Sequence, residues 1–228
     1  MKKQLKYLII FLIIPLIIFI SYMLFRNKHY GLLSMIVAFM ALIPFILSFE
    51  NRKPKAEELV IIAVIISINV VSRIIFASVP HFKPVTAIII IAALAFGKET
   101  GFMIGMLSAV LSNFYFGQGP WTPFQMFSWG MIGYIAGIFK DKQIIKNIAF
   151  ILLLGILGAV IFTGVVEVWT VLQIDQGFNF AKYLTILLAS TPILIVYILS
   201  NCIFIFILAK PLLEIFNRAK NKYGIFLS

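Results

Sequence analysis

The sequence predicts an all-α, polytopic membrane bundle, and three observations carry that prediction. Of its 228 residues, 62% are hydrophobic and only 12% are charged, about half the charge of an ordinary soluble domain. The apolar residues stand in continuous runs rather than in alternation, which suits spanning helices and not barrel strands. The 19 Lys and Arg outnumber the 8 Asp and Glu, for a net charge of +11, and they gather between alternate apolar runs.

A spanning helix needs ~20 mainly apolar residues. Eight candidates follow in order: Leu5–Phe25, Leu32–Phe49, Leu59–Val79, Val85–Phe96, Gly101–Phe116, Pro123–Phe139, Ile148–Glu167 and Tyr183–Ala209. The first has Met1-Lys-Lys ahead of it like a signal peptide. It is too long and lacks a small-x-small cleavage site, so it reads as a retained anchor. The first two runs are almost featureless Ile, Leu and Phe, suited to lipid contact. The fourth would be only ~18 Å long at 1.5 Å per residue, short of a ~30 Å hydrocarbon core. Pro80-His-Phe-Lys-Pro84 before it cannot be helical. That loop is expected to dip into the bundle, where irregular backbone needs protein or a water-filled cavity around it.

With the N-terminus in the cytoplasm, fourteen of the 19 basic residues fall on inside segments. Arg26, Lys28, Lys83 and Lys182 fall outside, and Arg73 lies within the third run. This is the positive-inside pattern. The charge is therefore a topology signal, and nucleic-acid binding is set aside. Both termini are expected in the cytoplasm of a prokaryotic plasma-membrane protein. The domain reading is an N-terminal transmembrane hairpin over 1–50, a cytoplasmic linker over 51–58, a six-helix substrate-binding core over 59–209 and a basic tail over 210–228. The tail reads as an interfacial helix or as a plain cytoplasmic end.

Several chemistries are missing. There is no P-loop, no H-E-x-x-H and no G-x-S-x-G. The single Cys202 permits no internal disulfide, and His29 and His81 sit on different loops, so no metal site is expected. No carboxylate falls at mid-depth, where an ion-driven carrier usually keeps one. The chain reads as neither an enzyme nor a self-powered transporter. A binding protein, a channel or a subunit driven by something else remains.

The site candidates gather toward one end. Gly97, Gly101, Gly105, Ala109 and Asn113 recur at every fourth position, a small face that lets helices approach closely in lipid. Gly133 with Gly137 and Gly155 with Ala159 repeat the pattern. Trp121, Gln125 and Trp129 are spaced i, i+4, i+8 and share one helical face if Trp121 is helical. They form either a flat ligand surface bearing one amide or an interfacial aromatic belt. Arg73 either faces the bundle interior or a pocket, or snorkels outward. His81, Phe82 and Lys83 of the proline loop, Gln118 of the outer loop, and Glu167 with Trp169 complete the substrate-binding set.

At this point the residues resemble a known family. Phe96-Gly-Lys-Glu-Thr-Gly101, Asn113 through Met126 and Trp129-Gly-Met-Ile-Gly-Tyr-Ile-Ala-Gly137 resemble substrate-specific S components of energy-coupling factor (ECF) vitamin transporters, over about Leu59–Ala209. Lys83-Pro84 followed by Gly117-Gln-Gly-Pro-Trp-Thr-Pro123 looks most like the cobalamin-type subgroup. The resemblance implies vitamin capture outside, with no intrinsic cofactor and with cobalamin or a related corrinoid as ligand. It implies a transmembrane T component and two ATP-binding cassette ATPases as partners. It also implies a small-x-x-x-small contact with the T component, here Ala63 and Ser67, and a gating role for Pro80–Pro84. The extra hairpin departs from the six-helix plan. Three other readings stand beside this one: an S component for another vitamin or small cofactor precursor, a lipid-acting membrane enzyme using Glu167 and His81, and a ligand-free assembly subunit.

Overall fold

The computed structural model describes residues 39–175 and 178–226, apart from 41 and 44. The predicted span Leu5–Phe25 and half of Leu32–Phe49 lie outside them. Among the described residues the fold is all-helical: α1 (Ala56–Ile75), α2 (Val85–Phe96), α3 (Lys98–Phe116), α4 (Thr122–Gly137), α5 (Ile148–Asp175), α6 (Phe180–Ala189) and α7 (Thr191–Tyr223), with a 3₁₀ turn over Gln143–Lys146. Residues 45–50 are also helical. Among the described residues, α1, α5 and α7 are long and apolar enough to cross a membrane.

The short helix α2 is the centre of the bundle. All twelve of its residues are buried, as expected of a helix that is apolar on every side. Its limits match the sequence expectation because hard signals flank it. Pro84 precedes it, and Gly97 follows at φ 98°, a left-handed conformation open to glycine. That one residue turns the chain directly into α3.

Helices α3 and α4 lie against each other along their small faces. A Cβ built on Gly101 would strike Gly133 backbone, one on Gly105 the Trp129 carbonyl, and one on Gly137 the backbone of Lys98. The i, i+4 glycines are therefore where the two backbones meet. Gly155 on α5 makes the matching approach to Asn201 and Ile205 on α7.

α1 shows two faces. Ile62, Ile65, Ile66, Asn69 and Arg73 are buried at helical spacing, while Val60, Val64, Ile68, Val71 and Ile75 are exposed. An outer face that is aliphatic but for Ser67, over a partly polar inner one, suits a helix that faces lipid. The preceding helical segment also has an inner face. Phe45 stacks on Phe102 of α3 with ring centres 4.2 Å apart and meets Tyr134 edge-on at 5.2 Å. This segment thus packs into the bundle.

The last predicted run, Tyr183–Ala209, is two helices. Pro192 occupies the first turn of α7, where its missing N–H costs nothing and from which no upstream helix can continue. At the break the Ser190 hydroxyl donates to Glu167 Oε1 at 2.6 Å. α7 then runs without interruption past Ala209 to Tyr223, and Gly224 ends it in the left-handed conformation at φ 58°. The chain after it closes one end of the bundle. Phe226 packs on Phe96 at 4.4 Å, and its N–H donates to Glu58 Oε1 at 2.9 Å. Glu58 in turn pairs with Arg52 at 2.7 Å. Fifteen residues further along α1, or about 22 Å at 1.5 Å per residue, Arg73 marks the opposite end.

The glycine contacts predict a graded response. Gly105→Val is expected to destabilise the bundle by about 1–3 kcal/mol, the usual cost of overpacking, because it meets backbone that cannot move aside. Gly164→Ala meets only the Tyr183 hydroxyl at 3.4 Å and is expected to be neutral. Thermal unfolding of the detergent-solubilised variants measures both. Equal midpoints would contradict backbone contact at Gly105.

Candidate functional site

The end of the bundle away from Phe226 holds a cavity of about 630 Å3, counted with its open mouth. The space that water-sized spheres reach within it is about 130 Å3. One wall is α1 and α4, carrying Arg73, Gln125 and Trp129. α5 and α7 add Phe162, Tyr197 and Asn201, with Phe162 directly against Trp129. His81 and Lys83 come from the loop above α2.

Arg73 is the unusual group. It is 8% exposed, one turn from the end of α1. Its Nη1 donates to Ser112 Oγ, and to Asn113 Oδ1 at 2.8 Å. The guanidinium carbon sits 4.4 Å from the Phe116 ring centre and 5.1 Å from that of Trp129, so the ring faces stabilise the cation. Among the described residues no carboxylate pairs with Arg73, and Nε and Nη2 donate to no protein acceptor. A buried guanidinium carries five N–H donors in a fixed fork. The unused part of this fork borders the cavity.

The loop is pinned onto α7. Ser200 Oγ accepts from the Lys83 N–H at 2.8 Å and donates to the Lys83 carbonyl at 3.0 Å. His81 Nδ1 lies 3.1 Å from Tyr197 Oη. His81 takes φ 62°, a left-handed conformation that persists only where surrounding contacts hold it. Lys83 Nζ stands 4.6 Å from the Phe116 ring centre, so two cations share one ring. Burial, and then the neighbouring Arg73 charge, hold the Lys83 ammonium below its ordinary pKa. The aromatic wall is Trp129 stacked on Phe162, with centres 5.1 Å apart at 23°. Phe162 meets Tyr197 edge-on at 5.3 Å.

Of the residues singled out in the sequence, Arg73, His81, Lys83, Gln125 and Trp129 line this cavity. Asn113 lies behind the wall, bonded to both Arg73 and Gln125. Gln118 caps the Val110 carbonyl at 2.8 Å. Phe82 packs with Phe76 and Phe204. Trp121 belongs to a separate cluster with Phe124 and Trp169; it stands at the N-cap of α4 in a helical conformation, eight residues and so about 80° around the helix from Trp129. Glu167 is held by Ser190. It shares no hydrogen bond with His81, the other half of the catalytic pair considered above. Ala63 and Ser67 are exposed on α1, away from the cavity, and Ser67 Oγ donates to the Ala63 carbonyl at 2.9 Å.

Phe162, Tyr197 and Asn201 were not singled out by sequence reasoning. Tyr197 and Asn201 stand i, i+4 within an apolar run, which is a readable polar face. Phe162 carried no local signal. Among the described residues no three His, Cys, Asp or Glu side chains gather as a metal site would require.

A family model described as ECF-type riboflavin transporter, S component, matches residues 53–218, which include every wall of the cavity. Neither the curated proteins nor the solved structures compared with the chain give a match. With most of its length matched, the chain belongs to the ECF-type riboflavin transporter S-component family.

Proposed function

We propose that this chain captures riboflavin, or a close flavin relative, in the cavity beneath the His81–Lys83 loop and delivers it inward through an ECF transporter. The observation that carries the proposal is Arg73: a buried guanidinium without a carboxylate, its free N–H groups bordering a cavity walled by stacked aromatic rings. An isoalloxazine offers what such a site lacks. It has a flat apolar face to extend the Trp129–Phe162 stack, and a pyrimidine edge whose neighbouring acceptors match a planar donor fork. The family matched is named for riboflavin, and no comparison supports the corrinoid expectation.

The remaining expectations complete the proposal. A T component and two ATPases supply the energy, consistent with a chain that has no P-loop. The positive-inside pattern places the cavity on the outer side, with a core of six spanning segments behind an N-terminal hairpin. Ala63 and Ser67 meet the T component from the lipid-facing side of α1.

Equilibrium titration of purified protein, followed by flavin fluorescence, tests the ligand. Riboflavin is expected to bind with high affinity and Arg73→Gln to weaken it by about tenfold to a hundredfold, the usual range for losing a charge-assisted hydrogen bond. Binding of cobalamin but not riboflavin would overturn the flavin reading. For the coupling surface, Ala63→Trp or Ser67→Trp is expected to abolish uptake in cells while leaving riboflavin affinity unchanged. Undiminished uptake would show that this face of α1 is not the contact.

A further inference from the structure

We infer that Asn113 fixes the hydrogen-bond polarity of the cavity, so that the α1–α4 wall offers donors and selects a ligand edge made of acceptors. The inference rests on reading the cavity as the ligand site and holds for any ligand, flavin or not. It follows from a chain of bonds whose two ends have no choice of direction.

At one end is Arg73, which can only donate. Its Nη1 lies 2.8 Å from Asn113, so the atom facing it is the amide oxygen. The Asn113 amide nitrogen must then point the other way, toward Thr122 Oγ1 at 3.1 Å and Gln125 at 2.8 Å. At the other end is the Val110 carbonyl, which can only accept. Gln118 Nε2 donates to it at 2.8 Å, so Gln118 Oε1 takes the Thr122 hydroxyl proton at 3.0 Å. With its one proton used, Thr122 Oγ1 can only accept from Asn113. Both ends give the same orientation of Asn113, which is 1% exposed and has no water to relax against.

Gln125 inherits this polarity. Because Asn113 donates to it, its Oε1 is turned toward Asn113 and its NH2 is left over. Among the described residues no protein acceptor takes that NH2, and Gln125 lines the cavity. The Gln125 amide and the free nitrogens of Arg73 therefore stand on one wall as donors. Asn201, which also lines the cavity, is held the opposite way. Its Nδ2 donates to the Gly155 carbonyl at 2.9 Å, leaving Oδ1 as an acceptor. Asn113 is thus the positioning residue for the donors at Arg73 and Gln125.

Two arms test this. Without ligand, side-chain amide NMR of the 15N-labelled, detergent-solubilised protein is expected to show Asn113 amide protons protected from exchange and Gln125 amide protons open to it. The reverse assignment would overturn the inference. With ligand, the protein is expected to tolerate 3-methylriboflavin, which lacks the N3–H donor, within about threefold. It is expected to lose at least about tenfold, one hydrogen bond's worth, for 1-deaza- or 5-deazariboflavin, each of which lacks one ring acceptor. Asn113→Asp keeps the contact with Arg73 but forces Gln125 to turn its NH2 onto the new carboxylate, so the preference for acceptors should weaken while Arg73 remains a donor. A wild-type protein that rejects the methyl analogue and accepts both deaza analogues would overturn the inference, as would an Asn113→Asp variant with unchanged discrimination. Failure of riboflavin itself to bind would remove the flavin reading, and the amide NMR would then decide this inference alone.

Discussion

Arg73 is the group around which the rest of the site is arranged. A guanidinium placed on a lipid-facing helix is costly unless it is turned inward and given partners. Here the partners are neutral: Ser112, Asn113 and two aromatic faces. They hold the cation without cancelling its charge, so the electrostatic demand is left for something that enters the cavity. A carboxylate in place of Asn113 would satisfy Arg73 and remove that demand.

This arrangement depends on how closely α3 can approach α4. Asn113 and Ser112 come from the end of α3, and Gln125 and Trp129 from the start of α4. They meet because Gly101, Gly105, Gly133 and Gly137 bring the two backbones into contact. The stripe of small residues is thus also a positioning device for the polar chain at its end. The short α2 has a second such role. Being a dozen residues long and wholly buried, it leaves space above its N-terminus, which His81 and Lys83 roof over.

What could be read in the sequence was what local chemistry marks. The limits of α2 were legible because Pro84 and Gly97 enclose an unbroken apolar run. Arg73, Gln125, Trp129 and Lys83 stood out as polar or aromatic groups in apolar surroundings, and all line the cavity. The break at Ser190 was missed because apolar residues continue on both sides of it, although Pro192 signals it. Trp121 is in helical register with Trp129, but eight residues turn it about 80° around the helix, where it meets Phe124 and Trp169 instead of the cavity. Phe162 and Asn201 join the site through tertiary placement, which no spacing rule reports. The direction of the Asn113 amide likewise required knowing which donor and which carbonyl stand at the two ends of its chain.

The central claim is that a flavin occupies the cavity at Arg73. The most direct measurement is to identify what the protein carries when purified from membranes under mild conditions, by absorption spectroscopy and mass spectrometry of the released ligand. The expected result is a flavin chromophore approaching one per chain in the wild type and strongly depleted in Arg73→Gln. A corrinoid in its place, or a flavin retained equally by the Arg73→Gln variant, would contradict the claim.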